Sequence, residues 1–218
     1  MFIIQEVLAT PELETESEKF LAKGTSGDHL VLWYRTDRGR ARAVAKFLSL
    51  GVKGGDLMVI VLPLHELQET EEFLVRERFP VVRLMNEGRL LLFASEEFLP
   101  DKDCNCDNLR VAIEALHVRA GSQGRRLRLV GRIAPVLFER GDLESALTVE
   151  HTADSSLGEA RLLCLYDARK LAGLPGNHAR KIDDVHSHTL DETTNGKVKL
   201  RRTTNLSTAR GNRKARRR

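Results

Sequence analysis

Arg35-Thr36-Asp37-Arg38-Gly39-Arg40 is the stretch of this 218-residue chain best equipped to hold an anion. It follows an apolar run, His29 to Tyr34, and precedes Ala41, Val44, Ala45, Phe47 and Leu48, which recur at the spacing of one helical face. Strand, loop and helix, followed by the apolar run Leu57 to Leu62, is the order in which the pattern GxxxxGK[ST] cradles a nucleotide. That chemistry needs a glycine-rich backbone nest, a lysine on the outer phosphates and a hydroxyl on magnesium. Placing Gly39-Arg40-Ala41 on the Gly-Lys-Ser/Thr end leaves Tyr34 at the first glycine, arginine for lysine, and no hydroxyl. Arginine offers a fixed positive fork but does not replace the lysine. Two readings stay open: a ligand cradle around Gly39 and Arg40, or four solvated charges, Arg35, Arg38, Arg40 and Arg42, around a helix start.

Further along, Leu162 to Asp167 reads LLCLYD, a buried strand ending in an acid. Asp167 has the position of a magnesium-ordering aspartate, or else caps a helix that starts at Ala168. Cys104, Cys106 and Cys164 are an odd number without a secreted framework. Cys104-Asn105-Cys106 has no second cysteine pair and no His at ligand spacing, so loop cysteines, an oxidation-sensitive pair and a zinc site all remain open. Cys164 reads as a small buried hydrophobe. His186 and His188 fall near the end of a last helix, where the dipole would favour their protonation.

The elements that must position these groups alternate between strand and helix. Leu64 to Arg78 carries a helical period, and Val81 to Met85 with Arg89 to Phe93 flank Asn86-Glu87-Gly88 as a hairpin would. Leu109, Ala112, Ile113, Leu116 and Ala120 mark an amphipathic helix stopped by Gly121 and Gly124. Arg126 to Ile133 alternates as a strand, and Asp142 caps a helix through Leu143 and Leu147. The expected fold is α/β, a three-layer sandwich with a mostly parallel sheet, right-handed crossovers and an antiparallel hairpin at about 81–93.

Hydrophobic residues make up 41% and aromatics 5%, so the core must come from Leu, Val, Ile and Ala. No apolar run approaches the roughly eighteen residues of a spanning helix, and the start lacks a basic n-region. A cytoplasmic protein without membrane contact is the expectation. From Thr189 onward there are ten Lys or Arg against two acids, leaving 25 against 29 before it. The division expected is a short extension over 1–26, a domain over 27–188 and a disordered basic tail over 189–218. Arg201, Arg202, Arg210, Arg213, Lys214, Arg216, Arg217 and Arg218 are its candidate contacts to the backbone of a nucleic acid.

The carriers of a family resemblance are Gly27-Asp28-His29 with Tyr34, Phe47-Leu48-Ser49-Leu50-Gly51-Val52-Lys53-Gly54-Gly55-Asp56, and Gly88-Arg89-Leu90. They continue through Gly124 to Gly131, Glu150, Leu163-Cys164-Leu165-Tyr166-Asp167 and His188. Over about residues 24 to 190 these resemble the MEDS domain, the sensory domain shared by methanogen and methylotroph regulators, including the dichloromethane-responsive repressor DcmR. That domain is related to the RecA and KaiC-like ATPase fold. The resemblance implies a sensor rather than a working ATPase. No DNA-binding, kinase or receiver domain is expected within these residues, so no output is expected to be inherited, and the basic tail lies outside the family pattern.

Together these point to a non-catalytic ligand-sensing domain acting through a signalling or transcriptional partner. No cofactor is expected, although a nucleotide could bind without being hydrolysed. Its small-molecule pocket is expected at the carboxyl ends of the strands, with His29, Tyr34, Asp37, Gly39, Arg40, Glu150, Tyr166 and Asp167 as contacts. Each also has a plain structural reading, as a satisfied half-buried polar group, an ion-pair partner or a cap. The alternatives are a weak ATPase using Arg40 on phosphate and Asp167 on magnesium, and a nucleic-acid-associated regulator anchored by the tail.

Overall fold

The computed structural model describes residues 15–99, 106–172 and 174–203. Seven strands form one sheet: β1 His29–Tyr34, β2 Leu57–Leu62, β3 Leu90–Ala94, β4 Leu127–Gly131, β5 Arg161–Asp167, β6 His188–Glu192 and β7 Val198–Thr203. Their order is β3-β2-β4-β5-β1-β6-β7, parallel throughout except for β7 against β6. The described helices are α1 Glu16–Lys23, α2 Asp37–Gly54, α3 Leu64–Arg76, α4 Val81–Asn86, α5 Cys106–Ser122, α6 Ile133–Glu139, α7 Leu143–Ser156 and α8 His178–Val185.

Strand parity divides the core in two, because successive side chains point to opposite faces of a sheet. Leu30, Leu32 and Tyr34 pack with Met58, Ile60, Leu163 and Leu165 against α1 to α4. Val31 and Trp33 pack with Val59, Leu129, Leu162, Cys164 and Tyr166 against α5 to α8. The near-continuous apolar runs of β1, β2 and β5 follow from this, since both faces are covered. The basic residues Arg128 and Arg161 do not break the pattern: Arg128 lies 2.5 Å from Asp56, and Arg161 lies 3.4 Å from Asp28.

The α/β fold with a mostly parallel sheet is as expected, but its antiparallel hairpin lies elsewhere. Residues 81–86 are helix α4, with Val81 and Leu84 buried and Val82 and Met85 exposed, the spacing of a helical face. Gly88, at φ 64, ends that helix, because Arg89 N–H returns to the Leu84 carbonyl. β3 then runs parallel to β2, with Met58 opposite Leu90. The strand expected to Ile133 stops at Gly131, and Arg132 begins α6.

Residues 189–203 are also corrected, from disordered tail to sheet. β6 pairs in parallel with β1, Leu30 opposite His188, and turns through Asn195-Gly196 into β7. Gly196 has φ 73, and Asn-Gly is the strongest short hairpin signal, so the cue was in the sequence. Composition misled because the few apolar residues of this segment, Leu190, Val198 and Leu200, are ordered only by packing into the core beside β1. The basic residues from Arg210 onward, and Cys104, lie outside the described residues.

Candidate functional site

β1 and β5, at the centre of the sheet, carry four of the eight candidate ligand residues, and parity sends them to two places. His29 and Tyr34 are five residues apart, and Tyr166 and Asp167 are adjacent, so each pair splits across the sheet.

On the α2 side, Tyr34, Asp37, Arg40 and Asp167 come together in a cleft of about 540 Å3 at the carboxyl ends of the strands. Six carboxylates and five cationic side chains line it. Arg40 is 1% exposed, so it is not a solvated charge. Its guanidinium pairs with Glu66 and, at 2.7 Å, with Glu69. Arg132, which sequence reasoning passed over as a strand residue, pairs with Glu66 at 2.8 Å and with Glu139, and donates to the Tyr34 hydroxyl. Asp167 accepts the backbone N–H of Arg169 at 2.9 Å and its Nη2 at 2.8 Å, which makes it the cap the sequence allowed. Arg169 also reaches Asp37 at 3.2 Å. The guanidiniums of Arg40, Arg132 and Arg169 surround the Tyr34 ring at 5.7, 5.4 and 5.9 Å from its centroid. Burial pushes the Glu66 carboxyl up to about 7, against the pull of Arg40. Arg169 outweighs burial at Asp167 and holds that carboxyl below its ordinary value.

Gly39 belongs to neither the cleft nor an open loop. The Glu192 carboxylate, at the end of β6, accepts from the backbone N–H groups of Arg35 at 2.6 Å and Thr36 at 2.9 Å, and from the Thr36 hydroxyl at 2.7 Å. A Cβ on Gly39 would stand 2.0 Å from Glu192 Oε1, so the glycine makes room for this carboxylate. Thr36 caps α2 by accepting from Gly39 N–H. A helix start after a strand is a ready anion site, and here the chain supplies the anion itself.

On the other face, His29, Glu150 and Tyr166 meet Cys164 and His186. His29 Nε2 lies 3.1 Å from Glu150 Oε2, and the Tyr166 hydroxyl donates to Glu150 Oε1 at 2.6 Å. Cys164 Sγ lies 3.3 Å from Glu150 Oε2 and 3.4 Å from His29 Nε2. The His186 ring lies against His29 at a tilt of 44° with centroids 4.2 Å apart, and its Nδ1 bonds the Ile182 carbonyl at 2.7 Å. Burial alone would raise Glu150, but His186, His29 and Tyr166 outweigh it and hold the carboxyl down to about 2. Burial and then the charge of His29 push His186 down to about 4, so the protonation expected from a helix end does not hold. Burial would also lower His29, yet the Asp154 and Glu150 carboxylates raise it. Burial first, and Glu150 second, push the Cys164 thiol and Tyr166 hydroxyl well above their ordinary values.

Beside this cluster a cavity of about 380 Å3 runs between the sheet and α5 to α7. Val59, Val61, Leu91, Phe93, Ile113 and Leu116 line it, and Glu150 and Cys164 stand in its wall. Cys164 and His186 were not among the residues expected at a site. The usable signal was parity, since residues 29, 164 and 166 share one face.

In the basic region, Arg201 pairs with Asp183 at 3.0 Å and Asp191 at 2.9 Å, and Arg202 sits opposite Thr189 in β7. Among the described residues no helix is long and apolar enough to cross a membrane.

A central, mostly parallel sheet with helices on both faces makes this an α/β protein by fold. A KaiC-like protein of the hyperthermophilic archaeon Pyrococcus horikoshii superposes with TM-score 0.54 at 16% identity, over 83% of this chain and 81% of that one. A second Pyrococcus horikoshii protein matches with TM-score 0.56 at 9% identity, over 88% of this chain and 95% of its own. The chain belongs to the MEDS family, the methanogen/methylotroph, DcmR sensory domain, whose pattern matches residues 28–186. No curated protein matches it.

Proposed function

We propose that this chain is a non-catalytic sensory domain of the cytoplasm whose receptor is the cavity beneath α5, and whose ligand is a small, largely apolar organic molecule. The observation that carries the reading is the cavity's lining, apolar on nearly all sides, with Cys164 of β5, Glu150 of α7 and Arg119 of α5 as its polar groups. A pocket built this way binds through excluded water and uses its few polar groups to orient the guest. The polar cleft suits a nucleotide poorly, because the guanidiniums of Arg40, Arg132 and Arg169 already face carboxylates and Glu192 takes the N–H groups at the head of α2. A phosphate there would have to displace the chain's own anions. The output passes to a signalling or transcriptional partner protein, with the basic residues from Arg210 onward available for non-specific phosphate contacts.

Benzene and dichloromethane serve as probes. Either should raise the melting temperature of the wild type and shift the methyl resonances of Val59, Val61 and Leu91. Ala112→Phe, which fills the cavity from α5, should abolish both responses. Equal responses in the variant, or none in the wild type, would remove the cavity as receptor. Magnesium-dependent ATP turnover that vanishes in Arg40→Ala would show that the domain is catalytic.

A further inference from the structure

Four side chains from four separate elements point their donor atoms at one spot: His29 of β1, Glu150 of α7, Cys164 of β5, and His186 just after α8. One donor atom from each lies within 4.8 Å of all the others, and all four residues are buried. Four such donors admit two accounts. They form a closed hydrogen-bond network, or they are the ligands of a cation.

The network account fails at His186. Its Nδ1 meets the Ile182 carbonyl at 2.7 Å, an acceptor, so Nδ1 carries the proton. A neutral imidazole then has a lone pair on Nε2. That atom is fully buried, has no hydrogen-bond partner, and faces Glu150 Oε2 at 3.6 Å. A lone pair aimed at a carboxylate is repulsive, and a buried polar atom left without a partner is costly. A cation between the two removes both penalties.

The distances agree with this. Tetrahedral zinc with bonds of about 2.0 to 2.3 Å sets its ligand atoms roughly 3.3 to 3.8 Å apart, the edge length of that tetrahedron. Four of the six edges here are 3.1 Å for His29 with Glu150, 3.4 Å for Cys164 with His29, 3.3 Å for Cys164 with Glu150, and 3.6 Å for His186 with Glu150, and the two from His186 to His29 and to Cys164 are within 4.8 Å. The supporting contacts have the arrangement that orients metal ligands. His29 Nδ1 faces Asp154 Oδ1 at 3.4 Å, His186 Nδ1 is tied to a carbonyl, and Tyr166 fixes the far oxygen of Glu150 at 2.6 Å. Charge balances as well: a divalent ion with one carboxylate and one thiolate is neutral, which suits a dry interior.

We infer that His29, Glu150, Cys164 and His186 bind one divalent ion of the zinc class in tetrahedral geometry. Two imidazoles, one thiolate and one carboxylate match the borderline-soft preference of zinc over magnesium or calcium. Binding releases the Cys164 thiol proton to solvent. The ion ties β1, β5, α7 and the end of α8 together. The inference is independent of the cavity reading, since the donors converge whether or not a guest occupies the cavity.

The test uses the full chain, unfolded with chelator and refolded with cobalt(II) or zinc(II), because the burial of the donors makes direct loading slow. About one cobalt per chain is expected, with the visible bands of tetrahedral cobalt and a thiolate-to-cobalt charge-transfer band, and zinc should displace it. Cys164→Ser should lose the charge-transfer band, and His186→Gln, which removes a ligand, should weaken affinity by more than the roughly 10- to 100-fold that loss of an outer-shell partner costs. Circular dichroism of each variant checks that it is folded. Folded wild type that takes up no cobalt and melts identically with and without zinc overturns the inference. So does a charge-transfer band that survives Cys164→Ser, which would move the metal to Cys104 and Cys106.

Discussion

The two polar regions of this molecule have similar ingredients and opposite organisation. In the cleft beside Tyr34, the guanidiniums of Arg40, Arg132 and Arg169 each face carboxylates of the chain itself, so the charges around the ring are largely cancelled. In the cluster around Glu150, atoms that bear lone pairs converge on one carboxylate, and the charge is concentrated rather than cancelled. Self-neutralised clefts are stable as they stand. Convergent donors are stable only with a proton or a cation among them. The contrast locates readiness to bind in the cluster, although the cleft, at about 540 Å3, has more room than the cavity of about 380 Å3 beside the cluster.

Breaking the comparison starts with Glu150. Glu150→Ala should cost about 3 to 5 kcal/mol in denaturant unfolding, because it strands two buried histidines, a thiol and the Tyr166 hydroxyl. A loss under about 1 kcal/mol would mean that water already satisfies the cluster. Glu192→Ala should cost less, about 1 to 2 kcal/mol, since the freed N–H groups of Arg35 and Thr36 can turn to solvent. Added inorganic phosphate should then stabilise the variant more than the wild type. An equal response in both proteins would show that Glu192 is not standing in for an external anion.

The smallest effect sharpens the cleft side and is read from pH. Glu66 titrates near 7 in the folded chain and near 4.5 unfolded, so the folded state binds more protons between those values. Its contribution to stability is complete below the unfolded value and is lost as pH rises through the folded one. Glu66→Gln should flatten the fall in melting temperature between pH 5 and 8, a difference on the order of 1 kcal/mol. An unchanged slope would mean that Arg40 and Arg132 keep Glu66 ionised throughout.

Much of the fold was legible because it rests on local rules. β1, α2 and β2 follow from an apolar run, a helical period and a glycine stop, and the structure has them at 29–34, 37–54 and 57–62. Residues 81–86 and 189–203 misled for a shared reason. A short apolar run does not declare its period, and a polar strand such as β6 borrows its apolar partner from β1.

What the sequence alone determined is the layered α/β plan, the cap Asp142, and the lost glycines and hydroxyl of the loop, while Asp167 was left between a magnesium ligand and a cap until the structure showed the cap. Parity could also have separated His29 from Tyr34 before any coordinates existed. Only the tertiary structure decided which charges cancel. Arg40 meets Glu69 across 29 residues, Thr36 meets Glu192 across 156, and His29 meets Glu150 across 121. No local spacing encodes such contacts, because they depend on the order in which strands enter the sheet and on the face each side chain then takes.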